Sequence, residues 1–235
     1  MKILSMETSS NICSVAILED NEVIKEISIC DENTHSQKLM PLVSQIFEQT
    51  NLSLEDIDLF ACDKGPGSFT GIRIGIATLK AFSDVSSKPI IGISSLDALA
   101  HNITTDGYIC SLIDAKHDNV YCCIYQLSDN IYTKIQDYSF NNIHELAQEL
   151  SKYNNLIFFV GNGSILYKDV LQSELKEKAI INEDSSVHSI NAINICKVAF
   201  QGFLSNSNKN FFDVEPLYIK KSSAEISLEE KSNAN

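Results

Sequence analysis

Apolar residues change their period along this chain often enough to mark most of its elements. Short apolar runs at 2–7, 12–18, 22–30 and 57–62 have strand length, and Glu19-Asp20-Asn21-Glu22 makes the turn between the second and third. Leu39, Leu42, Val43, Ile46 and Phe47 recur at helical spacing and predict a helix over about 35–50. Pro41 lies inside it and is expected to kink it or to set its first turn. A second helix is expected over 68–85 and a strand over 89–93.

The same order then restarts. Tyr108–Ile113 reads as a strand ending in Asp114, Val120–Leu127 and Ile131–Tyr138 as strands joined by Ser128-Asp129-Asn130. A helix follows with Ile143, Leu146, Ala147 and Leu150 on one face, then a strand at Ile157–Val160 and the turn Gly161-Asn162-Gly163-Ser164. A last helix, Ile190–Leu204, is expected to turn Ile190, Ile193, Cys196, Phe200 and Phe203 inward. A repeat of this size is a domain duplication, each half a mixed sheet covered by helices. The expected division is an N-terminal lobe at 1–105, a C-terminal lobe at 106–220 and a polar, aperiodic tail at 221–235 that frays.

One run stands apart. Residues 65–75 read Gly-Pro-Gly-Ser-Phe-Thr-Gly-Ile-Arg-Ile-Gly. Gly65, Pro66 and Gly67 supply a turn, and Ser68 or Thr70 a helix cap. Gly67, Gly71 and Gly75 recur every fourth residue, a ridge without side chains. Arg73 is the only arginine in the chain; every other basic side chain is lysine. Three readings stay open for the run: close helix packing, a phosphate cradle at a helix start, or a docking face for a partner. The spacings of dinucleotide and P-loop turns are both absent.

Composition removes several classes. The 235 residues can bury a real core, and 44% of them are hydrophobic. The strongest apolar run, at 156–160, is far short of a membrane helix, and no secretory leader precedes Ile3-Leu4. Seven cysteines without a C-x-x-C pair read as reduced, mostly buried residues of a cytoplasmic protein, and five histidines show no metal spacing. A net charge of −13 with no basic run excludes unaided binding to nucleic acid.

Met6-Glu7-Thr8-Ser9-Ser10, the run at 65–75, Ile113-Asp114-Ala115-Lys116 with Val120-Tyr121, and Glu215-Pro216-Leu217-Tyr218-Ile219-Lys220 together resemble the TsaB (YeaZ) family, over roughly residues 1–220. The resemblance implies a duplicated actin-like (ribonuclease H-like) ATPase fold with two lobes, each a mixed five-stranded sheet with covering helices. It implies a subunit of bacterial threonylcarbamoyladenosine synthesis at adenosine 37 of ANN-decoding tRNAs. The partners implied are the catalytic paralogue TsaD and the ATPase TsaE, with tRNA met only through the complex and a homodimer when the chain is alone.

The catalytic paralogue's pattern departs here at the chemistry. Its opening Glu-Thr-Ser-Cys-Asp-Glu corresponds to Glu7, Thr8, Ser9, Ser10, Asn11 and Ile12, and the places of its H-x-x-x-H fall on Ser95 and Leu99. The expectation is therefore a pseudo-ATPase without catalytic, cofactor or metal residues. Its working surface is a helix face carrying Leu39, Leu42, Ile46, Gly71, Arg73 and Gly75 beside the motif turn Gly65, Pro66, Gly67 and Ser68. Arg73 is read evenly as a clamp on a partner acid or phosphate and as a tie within its own fold. Glu7 and Asp114 are read as caps of turns, His35 as a solvated helix start. An active small-molecule kinase or ATPase of the same fold is the rival reading, and a peptidase the third.

Overall fold

The computed structural model of the protein describes residues 1–30, 35–205 and 212–220. One sheet holds β1 (Lys2–Glu7), β2 (Ile12–Glu19), β3 (Glu22–Cys30), β4 (Leu59–Asp63) and β5 (Ile90–Ile93) in the order β3-β2-β1-β4-β5. The other holds β6 (Gly107–Asp114), β7 (Asn119–Ser128), β8 (Ile131–Asn142), β9 (Ile157–Val160) and β10 (Ala179–Ile181) in the order β10-β9-β6-β7-β8. In both, the first three strands form an antiparallel meander, and the fourth lies parallel to the first and to the fifth. The meanders also turn alike: Asp20-Asn21 and Asp129-Asn130 all adopt positive φ, which suits the twist of a two-residue hairpin. This is the duplicated actin-like arrangement that the repeat predicts.

Helices α1 (His35–Thr50) and α2 (Phe69–Ser86) cover the outer face of the first sheet. Helices α3 (Ser95–Ala100) and, near the end of the described chain, one at Ala192–Leu204 fill the space between the sheets. Helices α4 (Ile143–Leu150), α5 (Asn162–Leu166) and α6 (Lys168–Leu175) belong to the second half, with α4 and α6 on its far face; the helix at 192–204 is α7. Strand alternation assigns the layers: Leu4 and Met6 face α1 and α2, whereas Ile3 faces α7. Cys122 and Cys123 divide in the same way between the outer and the central core.

Some expectations shift. Residues 54–56 form a 3-10 turn, so β4 begins at Leu59, two residues after the apolar run does. The buried stripe of α7 is Ala192, Ile195, Cys196 and Ala199, with Ile193, Phe200 and Phe203 only partly covered. A helix between two sheets is held closest along its small residues, and the large ones are displaced to its flanks. His35 is buried rather than solvated, its Nε2 2.7 Å from the Ser10 carbonyl. α3 has six residues, too few for a periodic signal. The expected tail at 221–235 lies outside the described residues.

Candidate functional site

Parallel pairing of β1 with β4 sets Met6 beside Cys62, so the next residues, Glu7 and Asp63, end their strands side by side. Both are fully buried. Glu7 accepts the N–H groups of Ser9 and Ser10 at 2.9 and 3.0 Å; Asp63 accepts the Gly65 N–H at 2.6 Å and the Ser95 hydroxyl at 2.7 Å. The Ser9 hydroxyl stands between them, 2.7 Å from Glu7 and 3.0 Å from Asp63. That hydroxyl has one hydrogen and two carboxyl oxygens to satisfy. A proton on one of the two acids would complete the second contact, and the burial that raises both pKa values favours it. Burial, and then the charge of Asp63, raises the Glu7 pKa; burial raises that of Asp63.

Above this pair the motif run closes on β1. Ser68 caps α2 by accepting the Gly71 N–H, and its own N–H donates to the Ser9 carbonyl at 2.6 Å. Thr8 donates its hydroxyl to the Gly71 carbonyl at 2.8 Å. A Cβ on Gly71 would collide with the Thr8 carbonyl, and one on Gly75 would stand 2.7 Å from the Thr8 hydroxyl. The glycine ridge packs against its own chain, the first of the three readings.

The six residues expected on a docking face divide accordingly. Leu39, Leu42 and Ile46 are buried between α1 and the first sheet, and Gly71 and Gly75 are buried against Thr8; only Arg73 is exposed. An amphipathic helix gives its apolar stripe to its own sheet, where each large side chain contributes about 1.5–3 kcal/mol. The exposed side of the two helices includes Met40 on α1 and, in line with Arg73, Ala77, Ala81 and Val85 on α2. Of the motif turn, Gly65 and Pro66 are buried, while Gly67 and Ser68 are exposed at a cleft.

The cleft, a cavity of about 700 Å³, opens between the two halves. Ser9, Asn11 and Ser68 line one side, Asp114, Lys116 and Asn162 the other. Asp114, ending β6 as Glu7 ends β1, accepts the Lys116 N–H at 2.9 Å and pairs with its ammonium at 2.8 Å. Burial opposes its charge, but the bonds and charge of Lys116 prevail, and its pKa falls below the ordinary carboxylate range. Asp114 is the only acid among the described residues lining the cleft. Ser95 and Leu99, in the places of the paralogue's histidines, are buried, and among the described residues no cluster of His, Cys, Asp and Glu could hold a metal ion.

Three arrangements escaped the sequence reading. The Glu7–Asp63 pair joins strands more than fifty residues apart. Asp97, in the first turn of α3, accepts the hydroxyls of Tyr125 and Tyr138, both at 2.6 Å, and ties the helix to the second sheet. Ser164 lies 3.0 Å from His188 Nδ1, whose Nε2 is 2.7 Å from the Asn182 carbonyl. Spatially this suggests a hydrolase pair. However, Ser164 is fully buried and donates its hydroxyl to Gly161 at 2.6 Å, and a carbonyl stands where an acid would orient the histidine. Burial pushes the thiols of Cys13, Cys123 and Cys196 up to about 12, away from the thiolate a nucleophile needs.

Comparison with known proteins follows the same lines. A family model described as TsaD, tRNA N6-adenosine threonylcarbamoyltransferase, matches residues 24–228. The tRNA threonylcarbamoyladenosine biosynthesis protein TsaB of Escherichia coli is 29% identical over 231 residues, 95% of this chain and 96% of that one. TsaB of Bacillus subtilis is 29% identical over 182 residues, 77% of this chain and 80% of that one. The solved structure of YeaZ from Pseudomonas aeruginosa superposes with a TM-score of 0.77 at 22% identity, covering 92% and 99% of the two chains.

Proposed function

The chain belongs to the threonylcarbamoyltransferase family and, with its relatives, to the TsaB (YeaZ) group, and from that premise we propose that it is a non-catalytic subunit of threonylcarbamoyladenosine synthesis. It acts by binding. Its partner is the TsaD-type catalytic paralogue, a TsaE-type ATPase joins the pair, and tRNA is met only in the assembly. Alone, the chain uses the same face for a weaker homodimer, because a twofold contact reuses one patch.

One observation carries the non-catalytic reading. Each acid at the strand ends beside the cleft is already engaged by the protein: Glu7 and Asp63 are buried and joined through the Ser9 hydroxyl, and Asp114 is tied to Lys116. Phosphoryl transfer needs carboxylates free to organise Mg²⁺ and the nucleophile. Asn11 and Ile12 stand at the cleft where the paralogue has acids. The docking reading is supported by the outer stripe of α2, where Ala77 and Ala81 admit another helix at about 8–10 Å. No helix among the described residues is long and apolar enough to cross a membrane.

Co-expression with the TsaD-type chain of the same genome tests this. A stable complex on size exclusion is expected, lost in Ala77→Arg and Ala81→Arg while their melting curves stay within about 2 °C of the parent, as for surface changes. The isolated chain is expected to show no ATP turnover above background. A complex unaffected by both variants would refute the docking face. Turnover abolished by Asp114→Asn would favour a kinase or ATPase.

A further inference from the structure

Two separated motifs of the sequence meet on the surface. Phe69 opens α2 and Arg73 follows one turn later, which sets them on one side of the helix. The Arg73 guanidinium carbon lies 3.8 Å from the centre of the Phe69 ring. Tyr218 arrives from the far end of the described chain. Its segment is pinned by Val214, buried in the core of the first sheet, and by the Leu217 N–H on the Lys64 carbonyl at 2.7 Å. The Tyr218 ring stacks on Phe69 at 5.4 Å, and its hydroxyl accepts the Arg73 Nε–H at 3.2 Å. Phe69 and Tyr218 remain 49% and 46% exposed, so burying hydrophobic surface does not explain the stack.

We propose that the Phe69–Arg73–Tyr218 stack is a preorganised receptor for a carboxylate presented by a protein partner. The inference rests on the docking reading above and names the chemistry of the contact: an Asp or Glu of the catalytic-type chain, received on α2. Nε is committed to Tyr218, and the four N–H groups on the two Nη nitrogens have no acid among the described residues. That is unusual in a chain with 31 acids and 18 bases. Of the two acids on the segment of Tyr218, Asp213 is taken by Lys80 at 3.1 Å, and among the described residues no ion pair joins Glu215 to Arg73. A planar fork held by an aromatic and a hydroxyl loses little freedom on binding and matches a carboxylate through two parallel hydrogen bonds. Exposed tyrosine and arginine side chains are what interfaces use as anchors. A nucleic acid fits less well. The net charge of −13 repels phosphates, and Arg73 is the one basic side chain in the stack.

The test is the affinity of the full chain for its TsaD-type partner by calorimetry, at low and high salt. Arg73→Ala is expected to weaken binding by at least roughly 30-fold and to flatten its salt dependence. Arg73→Lys keeps the charge but loses the fork, and should recover only part of the affinity. Tyr218→Phe should cost a few-fold, the loss of one orienting hydrogen bond. All three should melt with the parent. Full affinity in Arg73→Ala would overturn the receptor while leaving the docking reading intact; a parent chain that never binds the partner would overturn both. Arg73→Ala that loses tRNA binding or self-association while keeping the partner would overturn the proposal in favour of those occupants.

Discussion

The two halves of this protein share a chain path and differ at one matched position. Glu7 ends β1, Asp114 ends β6, and each accepts N–H groups of the turn that follows it. Glu7 has a second carboxyl beside it on the next strand; Asp114 has an ammonium two residues on. Full burial, and then the charge of Asp63, drives Glu7 upward, whereas the bonds and charge of Lys116 outweigh burial and drive Asp114 downward. A duplicated scaffold thus supplies the place for an acid, and the depth of burial together with the neighbouring side chain sets the direction of its shift. The helix after each fourth strand differs too. α2 runs unbroken for 18 residues, whereas its counterpart is broken at Tyr167 into α5 and α6. Among the described residues, only the first half has a long outer helix to offer a partner.

The largest expected contrast lies in the glycines that let these helices close on the first strand of each half. Gly71→Leu should destabilise the chain by about 3 kcal/mol or more, because the new side chain meets the Thr8 backbone, which cannot step aside. Gly163→Ala in the second half meets Leu112 at 3.1 Å, a contact that small shifts relieve, and should cost about 1–2 kcal/mol. Thermal denaturation distinguishes them; equal losses would show that the two closures are equally tight.

The acids come next, and their signs are opposed. Glu7 and Asp63 have raised pKa values in the folded chain. Their stabilisation is complete below the unfolded carboxylate value near 4 and is lost as pH rises through the folded values. The stability of the parent relative to Glu7→Gln, from urea titrations, should therefore fall between pH 5 and 8, by on the order of 1–2 kcal/mol. A flat difference would mean that no proton is shared. The smallest effect is expected at Asp114. Its pKa is lowered, so its contribution is present above about pH 4 and disappears in acid. Lys116 is 80% exposed, and Asp114→Asn should cost under about 1 kcal/mol at pH 7, with the loss confined to neutral pH and absent in acid.

The periods of apolar residues, the two Asp-Asn turns and the repeated order of elements were enough to determine a duplicated mixed-sheet fold. These signals are local: each strand or helix writes its own spacing, and a hairpin writes its turn. Ser68 as a cap was readable for the same reason, whereas Gly71, expected on the docking face, packs against Thr8 instead. Which face of α1 and α2 remains free was not. Leu39, Leu42 and Ile46 look the same in sequence whether a sheet or a partner covers them, and only the position of β1, β2 and β4 decides that the sheet does. The Glu7–Asp63 pair, the Asp97 tyrosine clasp and the junction of Arg73 with Tyr218 were also left to the tertiary structure. Each joins residues between 28 and 145 positions apart, and no periodicity in a chain encodes which distant side chains its folding will bring within hydrogen-bonding reach.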